Sequence, residues 1–206
     1  AADIGPVIVA AGDAEIVSVV EAAGAVAVLT DPVLPSGSDR VQAAARAYDP
    51  AGVHDAVINL QGDLPTVDPG VVARVVEPLA EPAVDMATLV APMDPRLRDD
   101  PNSVKAVMAL APGGRIGRAL YFSRARVPYG EGPLYHHMGI YAWRPAALDR
   151  FVALPQSELE RRERLEQLRA LEAGMRIDAA VVDRVPPEIN APEDLARLGA
   201  TYVGIL

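Results

Sequence analysis

Val57-Ile58-Asn59-Leu60-Gln61-Gly62-Asp63-Leu64-Pro65 reads as a buried strand that ends in a polar turn carrying one carboxylate. In an open α/β sheet, ligands gather where strands finish, so Asp63 stands where chemistry is expected. Two local readings stay open. In one, Asp63 bonds nearby backbone amides and simply closes the turn. In the other it is a Mg²⁺ ligand, because Mg²⁺ prefers a carboxylate plus water and substrate phosphates to an all-protein cage.

Upstream of this stretch the chain alternates strand and helix. Val7-Ile8-Val9-Ala10 is a short apolar run, expected as a strand buried on both faces. Ala14 to Ala23 has helical apolar spacing at Ile16, Val19, Val20 and Ala23, and Gly24 is placed to close it as the C′ residue. Val26 to Leu29 is the next strand. Beyond the Pro32 to Gly37 loop, Ser38 is the expected N-cap of a helix running to about Tyr48. Such alternation favours a parallel sheet with right-handed crossovers.

Downstream, Asp68-Pro69 starts a helix that should run to about Leu79, and Met86 to Ala91 is a fourth strand. There the alternation stops. Val104 to Leu110 and Ala119 to Phe122 look like two strands joined through Pro112-Gly113-Gly114, and Leu134 to Trp143 is another extended run. A short helix from Arg144 to about Leu154 precedes the longest expected helix, Ser157 to Ala173. A strand over Asp178 to Asp183 and a helix over Pro192 to Leu198 complete the order. The expected fold is α/β: a mixed, mainly parallel sheet flanked by helices, with an inserted antiparallel portion. No repeat, low-complexity segment or linker interrupts it, so one domain over residues 1–206 is expected.

Composition narrows the function. A net charge of −9 argues against a general binder of nucleic acid or anionic membrane. It does not forbid a small anionic substrate, for which a few local arginines and a metal ion suffice. The absence of cysteine removes disulfides, thiolate metal sites and cysteine nucleophiles, and suits the cytoplasm. No apolar run is long enough to span a membrane. Ala1-Ala2-Asp3-Ile4-Gly5-Pro6 lacks the basic region of a signal peptide, and its entry almost directly into a strand reads as a cut end.

Four further stretches invite a functional reading beside a bland one. Ser36-Gly37-Ser38-Asp39-Arg40 offers free amides and hydroxyls at a helix start, which bind anions or the edge of a base, or else merely cap the helix. Pro112-Gly113-Gly114-Arg115-Ile116-Gly117-Arg118 lacks a phosphate loop's strand-to-helix context and its Lys-Ser/Thr pair, so it reads as a hairpin turn. Strand alternation puts His136 and His137 on opposite faces, so at most one should look into a given cleft. That one is either a hydrogen-bond donor to substrate or a satisfied structural histidine. Glu166, Gln167 and Arg169, beside the Leu165-Leu168 stripe, read locally as a solvated helix flank.

Taken together and in order, seven stretches resemble the CMP-sugar-acid synthetases, on the CMP-KDO synthetase branch. They are Ser36 to Arg40, Val57 to Pro65, Pro101-Asn102-Ser103-Val104-Lys105, Ala119 to Arg124, His137-Met138-Gly139-Ile140-Tyr141, Leu165-Glu166-Gln167-Leu168-Arg169 and Pro192-Glu193-Asp194-Leu195. The resemblance implies a Rossmann-like nucleotidyltransferase fold, similar to GT-A folds. It implies transfer of a cytidylyl group from CTP to 3-deoxy-D-manno-octulosonate, giving CMP-KDO and pyrophosphate for lipopolysaccharide synthesis. The alternatives are an acylneuraminate cytidylyltransferase and a non-catalytic fragment of the same fold. A homodimer is implied on the same ground.

By matching position, the resemblance makes Asp63 and Gln61 catalytic, with Asp63 holding Mg²⁺ at the α-phosphate. Ser36, Gly37, Ser38, Arg40, Gln61 and Gly62 would line the nucleotide side. Arg124, His137, Tyr141, Glu166 and Gln167 would surround the sugar acid. The sequence departs from the family's pattern twice. Val7 to Ala10 corresponds to the family's second strand, so the first strand and the triphosphate loop are expected to be absent. Asn190 stands where the family has a second metal-binding Asp, and Asn is the poorer Mg²⁺ ligand. Ala191 stands where a hydroxyl residue would cap the following helix, a loss of about 1 kcal/mol.

Overall fold

The computed structural model describes residues 4–62, 64 and 67–186. Asp63, Pro65, Asn190 and the helix expected over Pro192 to Leu198 lie outside the described residues. The chain opens with strand β1 (Ile8–Ala11), helix α1 (Ala14–Ala22) and strand β2 (Val26–Leu29), and β1 pairs with β2 in parallel. Helix α1 ends as its glycine suggests: Gly24 takes φ +77°, its amide donates to Glu21 O, and the Ala25 amide donates to Val20 O. These paired bonds satisfy carbonyls that the helix end would otherwise leave open. The expectation of a β1 buried on both faces fails. Ile8, Val9 and Ala10 are half-buried and α1 has no buried residue, because β1 and β2 make a sheet of only two strands among the described residues.

Helix α2 (Gly37–Tyr48) leads to β3 (Val57–Leu60), the strand that delivers Gln61. Its N-cap is Ser36, not Ser38: Ser36 is extended (φ −147°) and its hydroxyl accepts from the Asp39 amide. Ser38 falls one position inside the first turn, where its side chain is free for other work. Helix α3 (Pro69–Arg74) starts where Asp68-Pro69 directs it but stops short of Leu79, a separate 3₁₀ turn over Glu77–Ala80 taking its place.

Strands β3, β4 (Met86–Pro92), β5 (Lys105–Ala109), β6 (Ile116–Ser123), β7 (Tyr135–Trp143) and β8 (Ile177–Val181) form a six-stranded sheet in the order β3-β7-β4-β8-β6-β5. By direction, β3, β4, β5 and β8 run one way and β6 and β7 the other. The mainly parallel sheet thus holds for strand direction and not for neighbours. Because β7 enters between β3 and β4, only β4–β8 is a parallel neighbour pair in this sheet among the described residues. The turn at Pro112-Gly113-Gly114 is the hairpin expected, joining antiparallel β5 and β6 with Gly113 at φ +71°.

The sheet is covered on both faces. Along β4, Met86 and Val90 face one cluster with Trp143, Phe151 and Leu168. Ala87, Leu89 and Ala91 face the other, with Val75, Met138 and Ile140. This is the period-2 alternation of a central strand, and β4 is buried from Met86 through Ala91. Each fully buried large side chain, such as Trp143 or Phe151, stabilises the fold by about 1.5–3 kcal/mol.

Helix α4 (Pro145–Val152) matches its expected place. The long helix expected from Ser157 to Ala173 does not form as one piece. Helix α5 (Glu158–Glu163) ends at Arg164, a left-handed residue at φ 55°, and α6 (Gln167–Glu172) starts after Leu165 and Glu166. The break is held from outside: the Arg124 guanidinium donates to Glu163 O at 2.8 Å and Arg164 O at 3.4 Å. Across it, the buried Glu160 and Arg169 pair through two bonds of 2.8 and 2.6 Å, and Arg169 lies 4.7 Å above the Phe151 ring.

Candidate active site

The site is built around an irregularity in β7. Its pairing with β4 passes from Thr88↔Tyr141 directly to Leu89↔Met138, leaving Gly139 and Ile140 as a bulge. A bulge bends a strand and re-aims its side chains. Thr88 fills the space opposite: its Oγ1 is 2.8 Å from Ile140 O, 3.2 Å from Met138 O and 3.0 Å from His137 Nε2. The His137 ring is stacked against Phe122 at 4.8 Å between centroids, edge on.

Beside the bulge is a cavity of about 250 Å³, lined by Arg124, His137, Tyr141 and Gln167, with Asn102 and Gly139. The Tyr141 hydroxyl donates to Gln167 Oε1 at 3.2 Å, while Gln167 Nε2 is buried with no partner among the described residues. Arg124 is less free than a substrate arginine is expected to be. Besides its two bonds to the α5 end, it donates to Pro101 O at 3.0 Å. It therefore shapes the cavity rim as well as lining it. Lys105, wholly buried, donates from Nζ to Asp100 O at 2.5 Å and Arg124 O at 3.1 Å, tying down the loop that carries Asn102.

Both His136 and His137 line this cavity, against the expectation that alternation admits only one. Burial, aided by the neighbouring His136, pushes His137 down to about 3, so the ring is neutral at physiological pH. Burial and then the Lys105 charge lower His136 as well. The donor role expected of His137 is not available from Nε2, which is engaged by Thr88.

Glu166 leaves the flank that its helix-surface reading assigned it. Because the helix breaks at Arg164, Glu166 precedes α6 and lines a larger adjoining cavity of about 740 Å³ with Ser36, Asp39 and Arg169. Ser38 Oγ donates to Glu166 Oε2 at 3.0 Å, and Glu166 Oε1 is buried without a partner among the described residues. The start of α2 is thereby joined to the segment Leu165 to Gln167, which borders both cavities. Gln61 joins them from β3. Its amide lies against Gly37, where an added Cβ would sit 3.4 Å from Gln61 Nε2, and it donates to Asn59 Oδ1 at 3.2 Å.

Arg40 points elsewhere, to the ends of β1 and β2. It donates to Thr30 Oγ1 at 2.6 Å and packs so tightly on Gly12 that a Cβ there would lie 2.4 Å from its Nη1. Gly62 is exposed in the turn after β3. Among the described residues, no group of three or more His, Cys, Asp or Glu is placed to hold a metal ion. Asp63 and Asn190, the two residues matched to Mg²⁺, lie outside those residues. One carboxylate and one amide oxygen fit a Mg²⁺ ion that keeps most of its water. Asn59, Thr88 and Asn102 were missed by reading the sequence. Asn59 lies in the opening stretch itself and Asn102 in a stretch that carries the resemblance, so only Thr88 had no signal.

Residues 1–177 match the family model described as cytidylyltransferase, and the chain belongs to that family. It is 61% identical over 200 residues to the 3-deoxy-manno-octulosonate cytidylyltransferase of Rhodospirillum centenum, covering 97% of this chain and 78% of the relative. With the enzyme of the same name from Paramagnetospirillum magneticum the identity is 58% over 200 residues, covering 97% and 81%. A solved structure of CMP:2-keto-3-deoxy-manno-octonic acid synthetase complexed with CTP superposes with a TM-score of 0.88 at 32% identity, covering 98% of this chain and 83% of that one. These relatives lie on the 3-deoxy-manno-octulosonate branch rather than the acylneuraminate branch. Among the described residues, no helix is long and apolar enough to cross a membrane.

Proposed function

We propose that this chain, as one nucleotidyltransferase domain, transfers the cytidylyl group of CTP to 3-deoxy-D-manno-octulosonate, giving CMP-KDO and pyrophosphate for lipopolysaccharide synthesis. The observation that carries the reading is the convergence of Arg124, His137, Tyr141 and Gln167 on one cavity, from just past the end of β6, from within β7 on either side of its bulge, and from the start of α6. It is a small polar cavity in which the buried Gln167 Nε2 amide has no partner among the described residues, a donor that a polyhydroxylated sugar acid can use. The Ser38–Glu166 bond, made by the neighbour of Gln167, supports a nucleotide bound at the adjacent α2 start.

In the reaction the anomeric hydroxyl oxygen bonds to the α-phosphorus of CTP. The bond from that phosphorus to the bridging oxygen breaks, pyrophosphate leaves, and the hydroxyl proton passes to solvent. Such a displacement asks the protein for in-line positioning and charge neutralisation more than for covalent chemistry. Gln61 orients the attacking sugar acid from the end of β3, and its amide is itself oriented by Asn59. Ser36, Gly37 and Ser38 border the cytidine, Gly62 lets the turn approach it, and Arg40 braces the neighbouring strand ends. Arg124, His137, Tyr141, Glu166 and Gln167 hold the sugar. Asp63, with the neutral Asn190 as a weaker second ligand, would hold a Mg²⁺ ion, which would supply positive charge against the phosphates. A cytoplasmic homodimer suits a protein without cysteine that uses CTP, and the resemblance supports it.

Pyrophosphate release from CTP tests this reading directly. Release should require the 3-deoxy-octulosonate and a divalent cation together, and Asp63→Asn should abolish it. Release with N-acetylneuraminate and none with the octulosonate would move the chain to the other branch.

A further inference from the structure

The contact between Thr88 and His137 has a chemical direction. A threonine hydroxyl has one proton and two lone pairs. Its nearest neighbours are Ile140 O at 2.8 Å and Met138 O at 3.2 Å, both carbonyl oxygens that only accept. If the proton went to His137, the hydroxyl oxygen would face two carbonyl oxygens with no hydrogen between them. The proton therefore goes to the bulge carbonyls, and His137 Nε2 at 3.0 Å must be the donor.

A neutral imidazole that carries its proton on Nε2 has a bare lone pair on Nδ1. The ring is neutral because burial holds its titration near 3. Nδ1 has no protein partner among the described residues, and it is the ring's remaining polar atom for the cavity that His137 lines. We propose that Thr88 is a positioning residue that fixes the Nε2–H tautomer of His137, so that the cavity offers a hydrogen-bond acceptor there. Gln167 is fixed in the complementary sense. Its Oε1 accepts from the Tyr141 hydroxyl, which leaves the Nε2 amide protons for a ligand.

The cavity thus presents one acceptor, at His137, and one donor, at Gln167. A sugar hydroxyl satisfies the first by donating, and a hydroxyl or carboxylate oxygen satisfies the second. A carbonyl, ether or deoxy position opposite Nδ1 is refused, because it brings no proton and leaves the lone pair buried and unmet. The bulge is what makes this possible, since a regular strand would have used the Ile140 and Met138 carbonyls in its own ladder. The consequence for specificity rests on the cytidylyltransferase reading above, whereas the tautomer itself does not.

Nitrogen-15 NMR of histidine-labelled protein without substrate reads the tautomer directly. The wild type should show His137 protonated at Nε2 and bare at Nδ1. Thr88→Val should convert it to a tautomer mixture or to Nδ1–H, and Thr88→Ser should restore the wild-type pattern. In steady-state assays Thr88→Val should raise KM for the sugar acid about tenfold with KM for CTP unchanged, the scale of one lost hydrogen bond. His137 found as Nδ1–H in the wild type would overturn the proposal, even if Thr88→Val does not fold. So would a Thr88→Val protein with unaltered tautomer and unaltered KM. Failure of the wild type to use the octulosonate would instead sink the functional reading and leave the tautomer result standing.

Discussion

Ser38 Oγ donates to Glu166 Oε2 at 3.0 Å, joining two residues 128 positions apart in the chain. The bond exists because capping of α2 falls to Ser36, which releases Ser38 to face the break before α6. The two serines should therefore behave differently. Ser36→Ala removes a helix cap and should cost about 1 kcal/mol in urea unfolding. Ser38→Ala strips a half-buried carboxylate of its partner, should cost about 1–3 kcal/mol, and should also raise KM for the sugar acid. Equal stability losses with no change in KM for Ser38→Ala would contradict this division.

The Glu160–Arg169 pair carries the α5–α6 junction. The hydrogen bonds that Arg169 donates to the Glu160 carboxylate hold its guanidinium above its ordinary value. Burial raises Glu160, but the Arg169 side chain and the Ser157 amide outweigh it and hold the carboxyl below its usual range. Both side chains are at most 10% exposed, so removal of either leaves the other charge buried and unpaired. Arg169→Ala should destabilise by about 3–5 kcal/mol, with a further loss from the Phe151 contact. Chemical denaturation of the variant, and of a Glu160→Leu, Arg169→Met double variant that should recover much of the loss, checks this.

Acid should act first through the buried histidine. His137 titrates near 3 folded and near 6.5 unfolded, so across that interval the unfolded chain binds a proton that the folded one refuses. Stability therefore rises with pH in this window and is lost as pH falls from about 6.5, by up to about 1.4 kcal/mol per pH unit. His136, also lowered, adds in the same sense. Glu160 has a depressed folded value, so its stabilisation is present above 4.5 and lost only below it. Unfolding measured between pH 6.5 and 4.5 should show the slope, and His137→Phe should flatten it. An unchanged slope in that variant would assign the effect elsewhere.

Much of the fold was legible because its signals are local. Gly24 closes α1, Asp68-Pro69 opens α3 and Gly113 turns the β5–β6 hairpin, each through conformational preferences of the residues at that spot. The failures share the opposite property. The left-handed Arg164 that splits the long helix carries no glycine signal, and it is held by Arg124, 40 residues earlier. Insertion of β7 between β3 and β4 is a matter of long-range pairing that strand periodicity cannot reveal.

The site divides in the same way. Resemblance picked out Arg124, His137, Tyr141 and Gln167, and the folded chain brings them to one cavity. Thr88 is different. In sequence it is one β-branched residue within a buried strand, and its importance comes entirely from the carbonyls and imidazole that the bulge turns toward it.

A cavity that holds the sugar acid of a cytidylyl transfer should lose affinity for that substrate alone when its unpartnered amide is removed. Phosphorus NMR of CTP turnover by the wild type and by Gln167→Ala, with the octulosonate and CTP varied separately, tests it most directly. The wild type should convert CTP to CMP-KDO and pyrophosphate. The Gln167→Ala enzyme should need about tenfold more octulosonate but no more CTP, the scale of one hydrogen bond. A Gln167→Ala enzyme with an unchanged requirement for the octulosonate, or with a raised requirement for CTP alone, would contradict it.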